Sequence, residues 1–569
     1  MIGIDLGTTN SLVAIFENGV PRILANELGE ELTPSAVAIA EDGTVLVGRA
    51  AKDRLIIDPN AGVMMFKRDM GTAREYFFGG KSWNPVTCSA LILQEMKRVA
   101  EMHLGNTIER AVITVPAYFH DQQRQATIEA ANIAGLKVER IINEPTAAAL
   151  AYGYRNPNEE KKILVFDLGG GTFDVTLLEI FEGVIEVKAS AGESRLGGED
   201  YTDTLCSFLE KKYQWQPAAE QRGAWRQRVE IVKRQLARQL STRVLLHKEM
   251  VEVTRADLIE STKLLTSRIR PVLARCLQDS QTHVSELHDV LLVGGASRMQ
   301  LVHELIFELL KCQPQQKIDP DRVVAMGACI QAALCASDDA VDDLVLTDVC
   351  PHTLGIEITK AYSQNNVEPG FFCPIIDRNT TIPVSRSKPF STIHPEQDMI
   401  KVQVFQGEAR LTKENQKIGE IVVRNLKSPS GKNQLSQIEV RFSYDMNGIL
   451  EVDVTNIETG KVSSLVIEQR PGVLTKAQLR EALDRMRPLK MHPRDLLPNR
   501  ARLERANRLF AELIGPTREQ LSYMIDQFEN ALRSQDSQLI KQQTAVLDTF
   551  LRDFFPLERE MEQTDGEND

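Results

Sequence analysis

The sequence predicts a multidomain chain: a two-lobed α/β unit, then a β-sandwich, then an α-helical segment. Three observations carry this. Residues 1 to about 335 alternate apolar, strand-like runs with helical patterns, which is the α/β signature. Two segments of that region resemble each other about 160 residues apart, Ile2-Gly-Ile-Asp5-Leu-Gly7-Thr8-Thr9 and Val165-Phe-Asp167-Leu-Gly169-Gly170-Gly171-Thr172. Such an internal repeat points to two similar lobes. From about residue 349 the helical pattern vanishes into short alternating runs, and from about 475 it returns.

The elements follow in order. Strands are expected at Ala111–Val115, Ile163–Asp167 and Val290–Val293, and helices at Cys88–Leu104, Asp121–Ala134, Arg226–Leu240 and Asp257–Leu277. Ser337 to Asp343 is acidic and lacks a packing pattern, which suits a linker. Leu344-Val345-Leu346 follows it. These three apolar residues are either the start of the next strand or a segment that docks on one domain and comes free again. Ile400–Val404, Gln437–Phe442 and Ile449–Val454 alternate as strands, with Asp445-Met-Asn447-Gly448 as a hairpin turn. Short strands at this spacing argue for a sandwich. Thr475-x-x-Gln478 and Thr517-x-x-Gln520 read as helix-capping boxes. Leu521, Met524, Ile525, Phe528 and Leu532 then form one apolar stripe, and Leu539, Ile540, Leu547, Phe550, Leu551 and Phe554 another. Gly515 and Pro516 separate two helices, Pro488, Pro493 and Pro498 interrupt the segment before them, and Leu557 to Asp569 reads as an acidic tail.

Composition excludes several classes. At roughly 150 residues per domain, 569 residues suggest three to four domains. A 42% hydrophobic share rules out wholesale disorder. The net charge of −12, with no long basic block, argues against a nucleic-acid binder. Met1-Ile-Gly-Ile-Asp5 runs straight into a strand pattern, so no secretory leader is expected. No apolar run nears ~18 residues, and the richest, Val323 to Ala336, carries Gln331. The eight cysteines are scattered singly, without C-x-x-C, and read as thiols of a reducing, cytoplasmic setting rather than zinc ligands.

The repeated turns carry the chemistry. Glycine lets backbone N–H groups approach phosphate oxygens, and threonine hydroxyls add donors. An aspartate at the strand end aims a carboxylate at the same point, where it can hold magnesium through water. Gly80-Lys81-Ser82 imitates a P-loop, but Glu75 and Tyr76 stand where its first glycine belongs. A third turn, Gly294-Gly295-Ala-Ser297-Arg298, suits a flat purine or ribose, with Arg298 able to stack on the base. Glu230, Lys233 and Arg234 share one helix face, which alone reads as surface pairing.

Gly3-Ile-Asp-Leu-Gly-Thr-Thr-Asn-Ser11, Val115-Pro-Ala-Tyr-Phe119, Ile142-Asn-Glu-Pro-Thr-Ala-Ala-Ala149, Asp167 to Asp174 and Leu196-Gly197-Gly198-Glu-Asp200 resemble the DnaK-type heat-shock-70 chaperones, in order from residue 2 to about 470. Short connections and a divergent tail look most like the bacterial HscC branch. The resemblance implies an actin-like ATPase domain over 1–336, a linker over 337–348, a peptide-binding β-sandwich over 349–470, a helical lid over 471–556 and a tail over 557–569. It implies ATP/ADP, Mg²⁺ and K⁺ as cofactors. Asp5 and Asp167 would hold Mg²⁺ through water; Gly7, Thr8, Thr9, Gly169, Gly170, Gly171, Gly197 and Gly198 would cradle phosphates. Lys67, Glu144, Thr172 and Asp174 would serve hydrolysis beside them. Glu230, Lys233, Arg234, Gly294, Gly295, Arg298 and Asp321 would hold adenosine.

For coupling, the resemblance implies Pro116 and Arg124 as a relay, Leu344, Val345 and Leu346 as the docking linker, and Arg140 with Asp348 at the J-domain surface. It implies Phe390, Ile400 and Val402 on a groove floor and Ile393 on an arch; alone, these read as sandwich core. Partners are unfolded apolar client segments and a J-domain co-chaperone, with neither nucleic acid nor membrane. The chain departs from the pattern at Ala237, usually Ser; at Thr347, usually apolar, which weakens docking; and between Gly355 and Asn379, which is longer, so the second arch residue is unassigned. Ala237–Thr254 and Arg68–Ile108 are short, so a standard nucleotide-exchange factor is not expected to fit. The expected activity is ATP hydrolysis that controls client capture and release. The alternative is a weakly coupled holdase with a slow ATPase clamp.

Overall fold

The computed structural model describes residues 1–155, 160–181, 184–218, 221–246, 249–314, 319–338, 341, 345–363, 366–424, 426, 435–445, 450–467, 499, 502–503, 506–507, 509–510, 513 and 515–554. The N-terminal half contains two sheets built to one plan. In the first, Lys137–Asn143, Arg110–Val115, Ile2–Asp5, Asn10–Glu17 and Val20–Ile23 pair in that order, with Thr33–Pro34 beside Asn10–Glu17. In the second the order is Asp289–Val293, Lys161–Leu168, Phe173–Phe181, Val184–Glu193, Val345–Val349 and Thr381–Ile382. In each, the strand bearing the aspartate has a parallel neighbour on one side and an antiparallel one on the other. The sequence repeat is thus a structural repeat, and its two Gly-rich turns meet between the lobes.

Helix Val323–Cys335 lies in the middle, buried continuously from Val323 to Ala333. Gly3 and Gly327 admit it, since side chains there would strike the backbones of Cys329 and Ala147. That burial explains the chain's most apolar run. No helix among the described residues is long and apolar enough to cross a membrane. Two expected helices differ. Asp257–Leu277 is two helices, Arg255–Ser267 and Ile269–Asp279. Pro271 lacks an N–H and crowds the carbonyl four residues back, so the break falls there. Helix Arg222–Leu236 stops before Leu240. Arg255 takes the carbonyls of Leu236 and Gln239 at 3.1 Å each, which ends the helical ladder.

Beyond residue 349 two four-stranded antiparallel sheets form. One runs Asn366–Ile376, Leu354–Ser363, Met399–Gln406, Gln416–Arg424; the other Val384–Ser391, Gln437–Tyr444, Leu450–Asn456, Val462–Ile467. Their facing side chains, among them Ile356, Val402, Val404, Val440 and Phe442, share one core. The long stretch before Asn379 is the hairpin Leu354–Ser363/Asn366–Ile376. Helices Gly515–Ser534 and Ser537–Phe554 bury Leu521, Phe528, Leu532, Leu547 and Leu551 together, while Leu539 is exposed. Thr517 lies inside its helix, which begins at Gly515. Residues 446–448 of the expected hairpin turn, residue 449 at the start of the next expected strand, the Thr475 capping box, Pro488, Pro493, Pro498, Leu344 and the tail lie outside the described residues, as do the side chains of Val345 and Phe554.

The apolar connector is both a strand and docked. Val345–Thr347 pairs parallel with Val184–Glu186, and Asp348–Val349 antiparallel with Thr381–Ile382. Leu346 is buried in the core between the lobes, and Val341, in the acidic stretch, is buried there too. Thr347 Oγ1 is buried without a partner. A stranded hydroxyl costs about 1–3 kcal/mol, so Thr347→Val should favour docking by roughly tenfold. Protease protection of the linker measures it; unchanged protection refutes it.

Candidate active site

A cleft of about 910 Å³ opens between the lobes, lined by Asp5, Gly7, Thr8, Thr9, Glu144, Asp167, Gly169, Gly170, Thr172 and Gly198 at one end. The volume suits a ligand of nucleotide size. The two turns interlock there. A Cβ on Gly170 would fall on the Thr9 hydroxyl, and one on Gly171 would come within 2.6 Å of Thr8 Cγ2. Gly197 packs just as closely on the Gly170 backbone. Glycine at 170 therefore lets the second turn close directly on the Thr9 side chain of the first. Ser35 braces the first turn by donating to the Gly7 carbonyl at 2.8 Å.

Acidic residues crowd the floor. Lys67, from the short turn Phe66–Asp69, places Nζ 2.6 Å from Glu144 Oε1, and both side chains are buried. Thr114 Oγ1 donates to Asp5 Oδ1 at 2.9 Å. Burial, reinforced by Glu144, pushes Asp5 up to about 7 and Asp174 up to about 8. Burial and the charges of Glu144, Asp174 and Asp5 raise Asp167 as well, and Lys67 opposes all three shifts. Asp174 Oδ1 is buried without a partner. Among the described residues no three His, Cys, Asp or Glu side chains converge as direct metal ligands, so a hard divalent cation would be held here through water, restoring charge to these carboxylates. Lys67, Asp174, Gly171 and Gly197 stand behind the cleft surface; the other phosphate-end residues expected from sequence line it.

At the far end Glu230, Lys233, Arg234, Gly294, Gly295, Arg298 and Asp321 all line the cleft. Gly294 has φ +78°, and a Cβ there would press on the Leu168 carbonyl. Lys233 spends its ammonium on Gly198 O at 2.6 Å and Thr202 Oγ1 at 2.7 Å. Burial lowers its pKa, and Glu199 opposes that. Arg234 pairs with Glu230 at 2.5 Å, the surface pairing read from spacing, yet at the cleft wall. Arg298 is held by Asp319 at 2.6 Å and Asp321 at 2.8 Å. Ala237 lines the cleft too and offers no side-chain donor.

Two chains of contact run outward from the carboxylates. Arg124 donates to Asn143 Oδ1 at 2.6 Å and to the carbonyls of Phe119 and Ala117, just after Pro116. Asn143, the neighbour of Glu144, donates to Asp348 Oδ2 at 3.2 Å. Burial raises Asp348, against the Val349 N–H and the charges of Arg140 and Arg124. In the second chain the Tyr118 N–H bonds Asp174, and the Tyr118 ring meets the edge of His352 at 4.7 Å. Arg378 closes the junction with Asp279 at 2.8 Å and Glu408 at 2.8 Å. Sequence reasoning quoted Asn143 and Tyr118 only inside motifs and missed His352, Arg378 and Asp279. In the sandwich region Val402 is buried, Phe390 and Ile400 are half-buried against the same core, and Ile393 is 37% exposed.

Two lobes built on one plan, closing Gly-rich turns and carboxylates around a nucleotide-sized cleft, define a two-lobed nucleotide phosphohydrolase. A profile of the Hsp70 protein family matches residues 1–77 and 72–567. The chain is 40% identical over 491 residues to Chaperone protein DnaK of Thermotoga petrophila, covering 83% of this chain and 80% of that one. The same figures hold for the DnaK proteins of Thermotoga neapolitana and Thermotoga maritima. The chain belongs to the Hsp70 family: it is an ATP-dependent molecular chaperone whose ATP hydrolysis is coupled to its chaperone activity, with nucleotide and Mg²⁺ as cofactors.

Proposed function

We propose that the docked linker strand couples the nucleotide cleft to client binding. The observation that carries this is Val345–Val349, a strand shared by the second lobe and Thr381–Ile382, with Asp348 bonded to Asn143 beside Glu144. In this reading residues 1–336 are an actin-like ATPase domain, 337–348 the linker, 349–470 a peptide-binding sandwich, 471–556 its lid and 557–569 a tail. Asp5 and Asp167 hold Mg²⁺ through water, and the bound ion neutralises phosphate charge. Thr8, Thr9, Thr172 and the turn N–H groups grip the phosphates, with K⁺ beside them. Lys67 faces the terminal phosphate. Glu144, fixed by Lys67, orients the attacking water, and Asp174 completes the carboxylate set. Positioning and charge complementarity supply the catalysis. Glu230, Lys233, Arg234, Gly294, Gly295, Arg298 and Asp321 hold adenosine.

Clients are extended apolar segments, held by backbone hydrogen bonds and a pocket at Phe390, Ile400 and Val402, under Ile393. A J-domain co-chaperone meeting Arg140 and Asp348, a cytoplasmic location and the HscC-type branch belong to the same proposal. ATP binding opens sandwich and lid; hydrolysis closes them. Linkage then requires peptide to weaken ATP binding as ATP weakens peptide binding.

Single-turnover ATP hydrolysis, with and without an unfolded apolar peptide and a J-domain protein, tests this. Leu346→Asp puts a charge in the buried docking position. It should leave basal hydrolysis near the wild-type rate and abolish stimulation. A variant still stimulated like wild type would remove the linker from the mechanism. A wild type indifferent to peptide and J-domain would favour the slow clamp.

A further inference from the structure

Arg68 stands beside Lys67 on the turn Phe66–Asp69, but its side chain leaves the first lobe. Nη1 donates to Asp200 Oδ1 at 3.1 Å, and Nη2 to Asp200 Oδ2 at 2.5 Å and the Gly170 carbonyl at 3.4 Å. Asp200 sits in the first turn of helix Gly198–Lys212 and accepts the Gly197 N–H at 2.8 Å. The guanidinium also covers the second phosphate turn: a Cβ on Gly171 would lie 2.7 Å from Arg68 Nε, an atom buried without a partner. One side chain therefore ties the Lys67 turn to Gly170 and to the start of that helix, across the cleft. A second side-chain bond between the lobes at this end, Thr9 to Glu199 Oε1, is longer at 3.4 Å, and Arg226 holds the other oxygen of Glu199 at 2.5 Å.

We propose that Arg68 is a positioning residue for hydrolysis and for nucleotide retention. It does not line the cleft and does not touch nucleotide. Its two-pronged pair with Asp200 sets the separation at which Lys67 from one lobe and Asp167 and Thr172 from the other face the same phosphates. A planar fork satisfied by both carboxylate oxygens fixes orientation as well as distance, which a lysine in its place would not do. While the pair is made, the cleft stays closed over the nucleotide. Its opening is the local event that lets ADP leave. The clasp thus sets the spontaneous exchange rate, in a chain whose segments Ala237–Thr254 and Arg68–Ile108 are short. The inference rests on the nucleotide reading of the cleft.

The test is a double-mutant cycle on the full chain with Arg68→Gln, Asp200→Asn and both together. Asparagine at 200 keeps an acceptor for Gly197. Fluorescent-ADP dissociation should quicken ~10-fold or more in either single variant, the scale of a lost charge-assisted bond pair. Single-turnover hydrolysis at saturating ATP should slow. The double variant should be no worse than the worse single, because the two side chains act on one bond. Arg68→Lys should recover only part of the retention. A merely structural role would lower the melting temperature without coupling the two sites in the dissociation rates. Wild-type dissociation and hydrolysis in Arg68→Gln, or effects of the two substitutions that add in full, would overturn the clasp. Wild-type protein that fails to bind fluorescent ADP, or Asp167→Asn that hydrolyses ATP normally, would instead overturn the nucleotide reading.

Discussion

Lys67→Met should bind nucleotide and all but stop hydrolysing it, with a single-turnover rate down ~10²–10³-fold. The ammonium is buried, 2.6 Å from Glu144, with Phe119's ring 5.7 Å away. It is a charge that opposes the upward shifts of Asp5, Asp167 and Asp174. Removing it therefore does two separable things. In the proposed mechanism, transition-state charge on the terminal phosphate loses the cation assigned to it. Glu144 is also left buried and unpaired, which costs several kcal/mol of stability, about 3–5 for a broken buried pair. The double variant Lys67→Met/Glu144→Gln isolates the stability cost of the unpaired carboxylate, with Glu144→Gln alone as the comparison for hydrolysis. It should regain the melting temperature and stay inactive, while ADP affinity changes only a few-fold. If that double variant hydrolyses ATP within tenfold of wild type, Lys67 is a structural lysine.

Acidification should undock the linker and sandwich through His352. This side chain is 6% exposed, and its Nε2 has no partner. Tyr118, His120, Arg124 and Glu408 face it. Glu408 is committed to Arg378 and to the N–H and hydroxyl of Thr353, each at 2.9 Å for Thr353. Burial first, then Arg124, push His352 down to about 4. The docked state thus holds a neutral imidazole, while a released one titrates near 6.5. Docking is at full strength above about pH 6.5 and weakens as pH falls toward 4, by up to about 3 kcal/mol. At pH 5.5 the docking equilibrium should fall about tenfold. His352→Leu should lose this fall on acidification, leaving only the opposite pull of Asp348, whose carboxyl is raised in the docked strand. Linker protection from protease, followed against pH in the two proteins, decides it; equal acid sensitivity in both would acquit His352.

What the sequence showed depended on range. The Gly turns, their aspartates and the apolar stripe from Leu521 to Leu532 were legible because backbone need and periodicity act within a few residues. The break at Arg268 was in principle legible from Pro271 and was masked by unbroken apolar spacing on both sides. The end of the helix at Leu236 was not, since Arg255 reaches it only after folding. The connector was ambiguous between strand and docking segment because pairing with Val184–Glu186 makes it both. Val341 reads as part of a polar linker, yet tertiary packing buries it. His352, Arg378 and the reach of Arg68 to Asp200 join residues far apart in sequence, and no local pattern announces such meetings.

The second lobe's sheet ends at Val184–Glu193 on the side where Val345–Val349 is laid. When that strand departs, the N–H and C=O groups of Val184–Glu186 lose their partners and face water as an open edge. Open edges recruit other strands, from other copies of the chain or from unfolded polypeptide. The docked strand is therefore a cover for that edge, and in the proposed cycle each release would expose, for as long as it lasts, a pairing surface of the kind that drives strand-to-strand aggregation.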